Sequence, residues 1–270
     1  MSVLVVALAA EARPLIDALK LKRQLDKPWQ YYNNGDQHLL LTGMGQLNAA
    51  AACAWLIGRY PKLDRAPWVN IGIAGHQSFD LGNLRWIERI ETSKNSFYPA
   101  LHIRSSIAGA TLKTVDQPCS SYRGTHLIDM EGAAFYQTTT KFAAIELVHI
   151  LKVVSDNRAN PLSKLDKQSI TQLIEPHVPS VLEFSASLTV LAQALPEAEP
   201  EGLEDCLQAY EKTWRFSHNQ RQQLRKLQSR YFTLTQSLIH PSGFGNQPRD
   251  AKHALMLIDA LLSEQPVSMP

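Results

Sequence analysis

Four short apolar runs rich in Val, Ile and Leu stand out along the chain: Val3 to Ala9, Leu39 to Thr42, Trp68 to Ile73 and Leu147 to Val154. Runs of this length with so little polar interruption read as strands buried on both faces. Helix-like segments follow them. Glu11 to Lys20 takes Pro14 in its first turn, Gln46 to Tyr60 carries an alanine block, and Glu131 to Phe142 has helical spacing. Weaker strands are expected at Arg85 to Ile90, Thr111 to Val115 and Thr125 to Ile128. From Lys167 to Leu195 the helical pattern returns, and Pro176 and Pro179 must break it once. Strands alternating with helices predict an α/β domain, a largely buried sheet covered by helices.

The pattern changes at Pro196-Glu197-Ala198-Glu199-Pro200-Glu201-Gly202, which is acidic, holds two prolines and a glycine, and offers nothing to a core. It is read as a linker, so the expected organisation is a domain over 1–195, a linker over 196–202 and a small all-helical appendage over 203–270. In the appendage, Ser217 and Gln220 have capping-box spacing before a helix from Gln223 to Leu238, and a last helix runs from Arg249 to Leu262. Lys212, Arg215, Arg221, Arg225, Lys226 and Arg230 make its centre a basic amphipathic segment. One reading is a helical bundle with a solvated basic face; the other is a contact, over Lys212 to Arg230, for nucleic acid or a partner protein.

Composition narrows the classes. The chain has 270 residues, 44% hydrophobic and 19% charged, which suits a globular protein with a sizeable core. A formal charge of +2 creates no whole-molecule field for nucleic acid, so any basic patch is local. The apolar N-terminal run lacks a basic flank and is interrupted at Glu11, so it fits neither a signal peptide nor a membrane span. Cys53, Cys119 and Cys206 are far apart with no CxxC spacing, which suggests neither a disulfide framework nor a metal site. A reducing cytoplasm, no metal, no cofactor and no membrane contact are therefore expected.

Three features end strands, where α/β folds gather ligand sites. Gly43-Met44-Gly45 and Gly72-Ile73-Ala74-Gly75-His76 are glycine-rich turns, each readable as a structural turn or as backbone brought close to a ligand. The third is a pair of carboxylate-bearing segments, Ile128-Asp129-Met130-Glu131-Gly132 and Val154-Ser155-Asp156-Asn157, which fit a βαβ unit that brings the acids together. Asp156 is also readable as a helix N-cap, and Glu11 as a first-turn acid favoured by the helix dipole.

In their order, these pieces resemble the nucleoside phosphorylase superfamily, especially the methylthioadenosine/S-adenosylhomocysteine nucleosidases. Ala7-Leu8-Ala9-Ala10-Glu11 is similar to the family's opening strand and catalytic glutamate, and Gly43-Met44-Gly45 to its second-strand turn. Asn70-Ile71-Gly72-Ile73-Ala74-Gly75 resembles N-T-G-S-A-G, Met130-Glu131 the ribose-holding pair, and Ser155-Asp156 the serine and aspartate at the purine end. Lys167 to Leu195 resembles the closing helix.

The resemblance implies a mixed central sheet flanked by helices, and cleavage of a purine nucleoside's N-glycosidic bond through a ribosyl cation-like transition state. Asp156 would donate a proton to purine N7, Glu131 would accept the ribose hydroxyls and oppose the growing positive charge, and Glu11 would activate water. Met130 would lie beneath the sugar. Gly72, Ile73, Ala74, Gly75, Ser155, Gly43, Gly45, Asp129 and Pro118 are the further candidate substrate contacts. The sequence departs from the pattern at Ile73, where a serine is usual, at Pro118, nearest to a purine-stacking aromatic, and in a shortened stretch from Gly75 to Pro118. Family phosphorylases carry an arginine where this chain has Asn70, so water is the expected nucleophile; Arg13 is the candidate anion ligand of the phosphorylase alternative. A further alternative is a catalytically degenerate nucleoside sensor with a helical interaction tail. The expected partners are a small nucleoside and a second copy in a homodimer.

Overall fold

A computed structural model of the chain describes residues 1–25, 28–101, 103–118, 124–195 and 200–263. The chain divides into two compact units, Met1–Ala194 and Leu195–Pro270. Cys119 and residues 196–199 of the expected linker lie outside the described residues.

The first unit opens with β1 (Ser2–Val6), α1 (Ala9–Leu19), the short β2 (Lys22–Arg23), β3 (Gln30–Asn33), β4 (Gln37–Leu41) and α2 (Gln46–Arg59). It continues with β5 (Trp68–Gly75), β6 (Leu84–Glu91), β7 (Ser96–Phe97), β8 (Gly109–Thr114), β9 (Leu127–Asp129), α3 (Gly132–Thr139) and β10 (Val148–Asp156). Helices α4 (Lys167–Ile174) and α5 (Val178–Ala194) close it. The strands form one mixed sheet in which β1 lies parallel between β4 and β5, and β5 lies parallel to β10. Pairings β5–β10–β6–β8–β9–β5 close a five-strand ring at one end of the sheet.

Successive residues of a strand point to opposite faces, so a strand covered on both sides must be apolar throughout. Val3, Val5, Trp68, Ile150 and Val154 enter one core with Ala52 and Leu56 of α2 and Phe135 of α3. Leu4, Val6, Val69, Ile71, Leu151 and Val153 enter the other with Leu15 of α1 and Val181, Phe184 and Leu188 of α5. All nine positions of β10 are buried, including one lysine.

Several expectations are corrected. Helix α1 begins at Ala9, so Pro14 sits inside it and not in its first turn. The missing amide of Pro14 would have bonded the Ala10 carbonyl, and the Thr171 hydroxyl of α4 donates to that oxygen instead at 2.9 Å. The carboxylate segments do not form a parallel βαβ unit: β9 runs antiparallel to β5 and β10 parallel to it, so the two acids converge from opposite strand directions on the end of β5. The single break expected between Lys167 and Leu195 is present as the 3-10 turn Glu175–His177, with Pro179 at the start of α5.

The second unit holds α6 (Leu203–Thr213), α7 (His218–Thr235) and α8 (Ala251–Ser263) around Cys206, Leu207, Tyr210, Leu224, Ile258 and Leu262. The capping box forms, with the Gln220 amide donating to Ser217 Oγ at 3.3 Å and the Ser217 amide to Gln220 Oε1 at 2.9 Å. It therefore starts α7 at His218, five residues before the expected Gln223. Buried Gln228 bonds both backbone groups of Ile239, its Nε2 to the carbonyl at 2.6 Å and its Oε1 from the amide at 3.0 Å, and so fixes the chain after α7. No helix among the described residues is long and apolar enough to cross a membrane.

Candidate active site

Glu11 stands in the first turn of α1, 2% exposed, and both of its carboxylate oxygens accept backbone amides. Oε2 takes those of Ala7 at 3.1 Å and Leu8 at 2.8 Å, and Oε1 takes that of Ile73 at 2.9 Å. It thus caps its own helix and clamps the end of β1 to the end of β5. Gly72 is required by this approach, because a Cβ there would lie 2.9 Å from Glu11 Oε1 and 3.5 Å from Lys152 Nζ.

Glu131, at the N-terminus of α3, accepts the Gly45 amide at 2.6 Å. That amide is presented by a turn in which Gly43 (φ +81°) and Gly45 (φ +95°) occupy backbone space that L side chains avoid. Asp129 is fully engaged: Oδ1 accepts the Thr114 hydroxyl at 2.7 Å, and Oδ2 accepts the Gly132 amide at 2.8 Å and Lys152 Nζ at 2.9 Å. Asp156 ends β10 just past a register shift, 4% exposed, with the Ser155 hydroxyl donating to Oδ1 at 2.5 Å. It caps no helix; Asp166 caps α4.

These groups line one cavity of about 300 Å³. Of the sequence candidates, Glu11, Glu131, Asp156, Asp129, Met130, Ile73, Ala74, Gly75, Ser155 and Pro118 face it, together with Met44, Leu162, Leu165 and Ile170. Gly72, Gly43 and Gly45 lie behind the wall and shape it through the contacts above. Arg13 does not reach it. Residues two apart on a helix lie about 200° apart around its axis, so Arg13 points away from Glu11 and bonds Asp17 at 2.7 Å with its side chain 71% exposed. Asn70 is also not a lining residue; it is buried and donates to the Val5 carbonyl at 3.0 Å. Among the described residues no group of three or more His, Cys, Asp or Glu is arranged to hold a metal ion.

The residue that sequence reasoning missed is Lys152. It stands beside Gly72 in the β5–β10 register and is 2% exposed. Burial alone would lower its pKa, but Asp129, Glu131 and Glu11 outweigh that and raise it, so it stays an ammonium. Burial pushes the carboxyls of Glu11 and Glu131 above the usual range, and Lys152 and nearby backbone amides pull both back. The signal was present: a lysine between Ile150-Leu151 and Val153-Val154, in a strand expected to be buried, demands buried counter-charges.

The sequence matches no family model and no curated protein. Solved structures do match. The apo 5'-methylthioadenosine nucleosidase of Arabidopsis thaliana superposes with TM-score 0.55 at 19% identity, over 68% of this chain and 95% of that one. The adenine-bound structure of a 5'-methylthioadenosine/S-adenosylhomocysteine nucleosidase from Borrelia burgdorferi gives 0.53 at 16%, over 71% and 100%. The Campylobacter jejuni enzyme of the same name gives 0.52 at 16%, over 68% and 97%. Over that matched part, about two thirds of its length, the chain shares the fold of these structures.

On that fold Lys152 carries the electrostatic balance, and its removal is the sharpest test. Lys152→Met leaves buried carboxylates without their cation and is expected to cost about 3–5 kcal/mol of stability at pH 8. Without the ammonium the folded-state pKa values of Glu11 and Glu131 rise further, so protonation on acidification relieves the repulsion and the deficit shrinks toward pH 5.5. Urea unfolding at both pH values checks this; an equal deficit at the two would contradict it.

Proposed function

We propose that the first unit hydrolyses the N-glycosidic bond of a purine nucleoside of the methylthioadenosine, S-adenosylhomocysteine or related adenosine type. The observation that carries this reading is the meeting of Glu11, Glu131 and Asp156 in one largely apolar cavity. In the proposed reaction water attacks C1′ while the C1′–N9 bond breaks. Asp156 gives its proton to N7 so that the base leaves neutral, and Glu11 takes a proton from the water. Glu131 receives the ribose hydroxyls, and its negative charge favours the positive charge growing on the sugar. A general base works best with a pKa near the working pH, which suits the upward push that burial gives Glu11. An adenine-type base is supported by the adenine bound in the Borrelia burgdorferi neighbour.

Water is preferred to phosphate on charge. Among the described residues the cavity is lined by Glu11, Asp129, Glu131 and Asp156 and by no lysine, arginine or histidine. The nearby ammonium of Lys152 is already taken up by Asp129, Glu131 and Glu11, so a doubly charged anion there would meet repulsion.

The test is product analysis on a panel of adenosine, methylthioadenosine, S-adenosylhomocysteine, inosine and futalosine, with and without phosphate. Free base and free sugar are expected without phosphate, and Asp156→Asn is expected to cut base release by at least about two orders of magnitude while the fold is kept. A rate that requires phosphate and yields a sugar 1-phosphate would reverse the choice of nucleophile. Binding without base release from any member would favour a sensor.

The same reading takes the working form to be a homodimer. Met44, which lines the cavity, and Leu47 are 61% and 83% exposed, and no charge interrupts the chain from Met44 to Gly58. Light scattering is expected to give twice the 30.2 kDa chain mass, and Leu47→Glu to shift it to the single mass; a monomer in both cases would remove the dimer.

A further inference from the structure

Between Lys212 and Arg249 the chain has no Asp or Glu, yet it carries Lys212, Arg215, Arg221, Arg225, Lys226, Arg230 and Arg249. Three of these cations are paired within the second unit, Arg249 with the adjacent Asp250 at 3.6 Å. Arg221 pairs with Glu211 at 2.8 Å and with Glu204, and Arg225 pairs with Glu204 at 2.7 Å, which ties α7 to α6. Lys226 and Arg230, one turn apart on α7, are exposed and enter no ion pair among the described residues, and neither do Lys212 and Arg215.

The character of this face narrows what it fits. Every exposed position from His218 to Arg230 is polar: His218, Asn219, Gln222, Gln223, Lys226 and Arg230. The apolar positions Leu224, Leu227 and Tyr231 are spent on the unit's own core. A helix that lies in a lipid surface needs a free apolar face, and a protein interface needs apolar or aromatic anchors; this stretch offers neither. Cations that meet no carboxylate, interleaved with side-chain amides, suit phosphates flanked by hydrogen-bonding sugar and base edges.

We propose that the outward face of α7 binds nucleic acid, with Lys226 and Arg230 on the phosphate backbone, Lys212 and Arg215 adding charge, and Asn219, Gln222 and Gln223 donating to sugar or base edges. The interaction is electrostatic in origin, so its affinity must fall with salt, by a slope of about −0.9 per phosphate contact on duplex and about −0.7 on single strands.

The experiment uses the full chain and fluorescence anisotropy with a labelled single-stranded RNA, a single-stranded DNA and a duplex DNA, each about 20 nucleotides long, in salt from about 50 to 200 mM. Binding of at least one probe at the low end is expected, with a log–log slope between about −2 and −4. Lys226→Glu with Arg230→Glu is expected to weaken it at least tenfold. The milder Lys226→Gln with Arg230→Gln should flatten the slope by about two contacts, with helix content unchanged by circular dichroism as the check that the unit is still folded. No binding of any probe at the lowest salt, or an affinity and slope indifferent to both double variants, would overturn the proposal. So would binding to anionic lipid vesicles in place of all three nucleic acids.

Discussion

One ammonium group, that of Lys152, sits among Asp129, Glu131 and Glu11 at the end of the sheet, and the candidate site depends on it. Buried carboxylates repel one another and are costly to strip of water; without a cation among them they would protonate or the surroundings would open. Lys152 is costly by itself too. Its burial is tolerable because the direct partner, Asp129, is fully hydrogen-bonded, by a hydroxyl from β8 and an amide from α3. The network is therefore also a structural joint between β8, β9, α3 and β10. Chemistry and stability cannot be separated at these positions, which is why the pH dependence of a variant says more than its loss of stability alone.

The geometry that delivers Glu11, Glu131 and Asp156 to the cavity comes from the directions of the strands. Strands β1 and β10 run parallel with β5, so Glu11 and Asp156 arrive at the same edge. Strand β9 comes back against β5, touching it at Gly75, and this reversal brings Glu131 to face them from the start of α3. Glycine allows the closest approaches. At 72 it leaves room for Glu11 and Lys152, and at 43 and 45 its positive φ aims an amide at Glu131. The fold has a compensation of its own at Pro14, whose missing amide leaves a carbonyl that Thr171 satisfies.

Much of this was legible in the sequence where one local rule dominated. The central strands were visible because strands covered on both faces must be apolar, and the start of α7 was signalled by Ser217 and Gln220, although the apolar pattern drew the boundary too late. The hairpin of β2 and β3 was not visible, since Lys22-Arg23 and Gln30-Tyr31-Tyr32-Asn33 have no clear alternation and one side of the pair is an edge. The reversal of β9 was illegible because three residues carry no directional signal. Arg13 was misread from proximity in sequence, which helical geometry turns into opposite directions. Lys152 was passed over because a lysine in an apolar run looks like an exception, when it is the residue that lets the acids be buried.

The central claim is that Lys152 sets the ionisation of the site's glutamates, and it is tested most directly by titrating their carboxyl carbons. In protein labelled with 13C at the glutamate side chain, signals assigned with Glu11→Gln and Glu131→Gln are to be followed by NMR across the acid and neutral range. Both glutamates are expected to titrate above the ordinary carboxylate value of about 4.3, and both midpoints to move further up in Lys152→Met. Ordinary midpoints that stay where they are when Lys152 is removed would contradict the account.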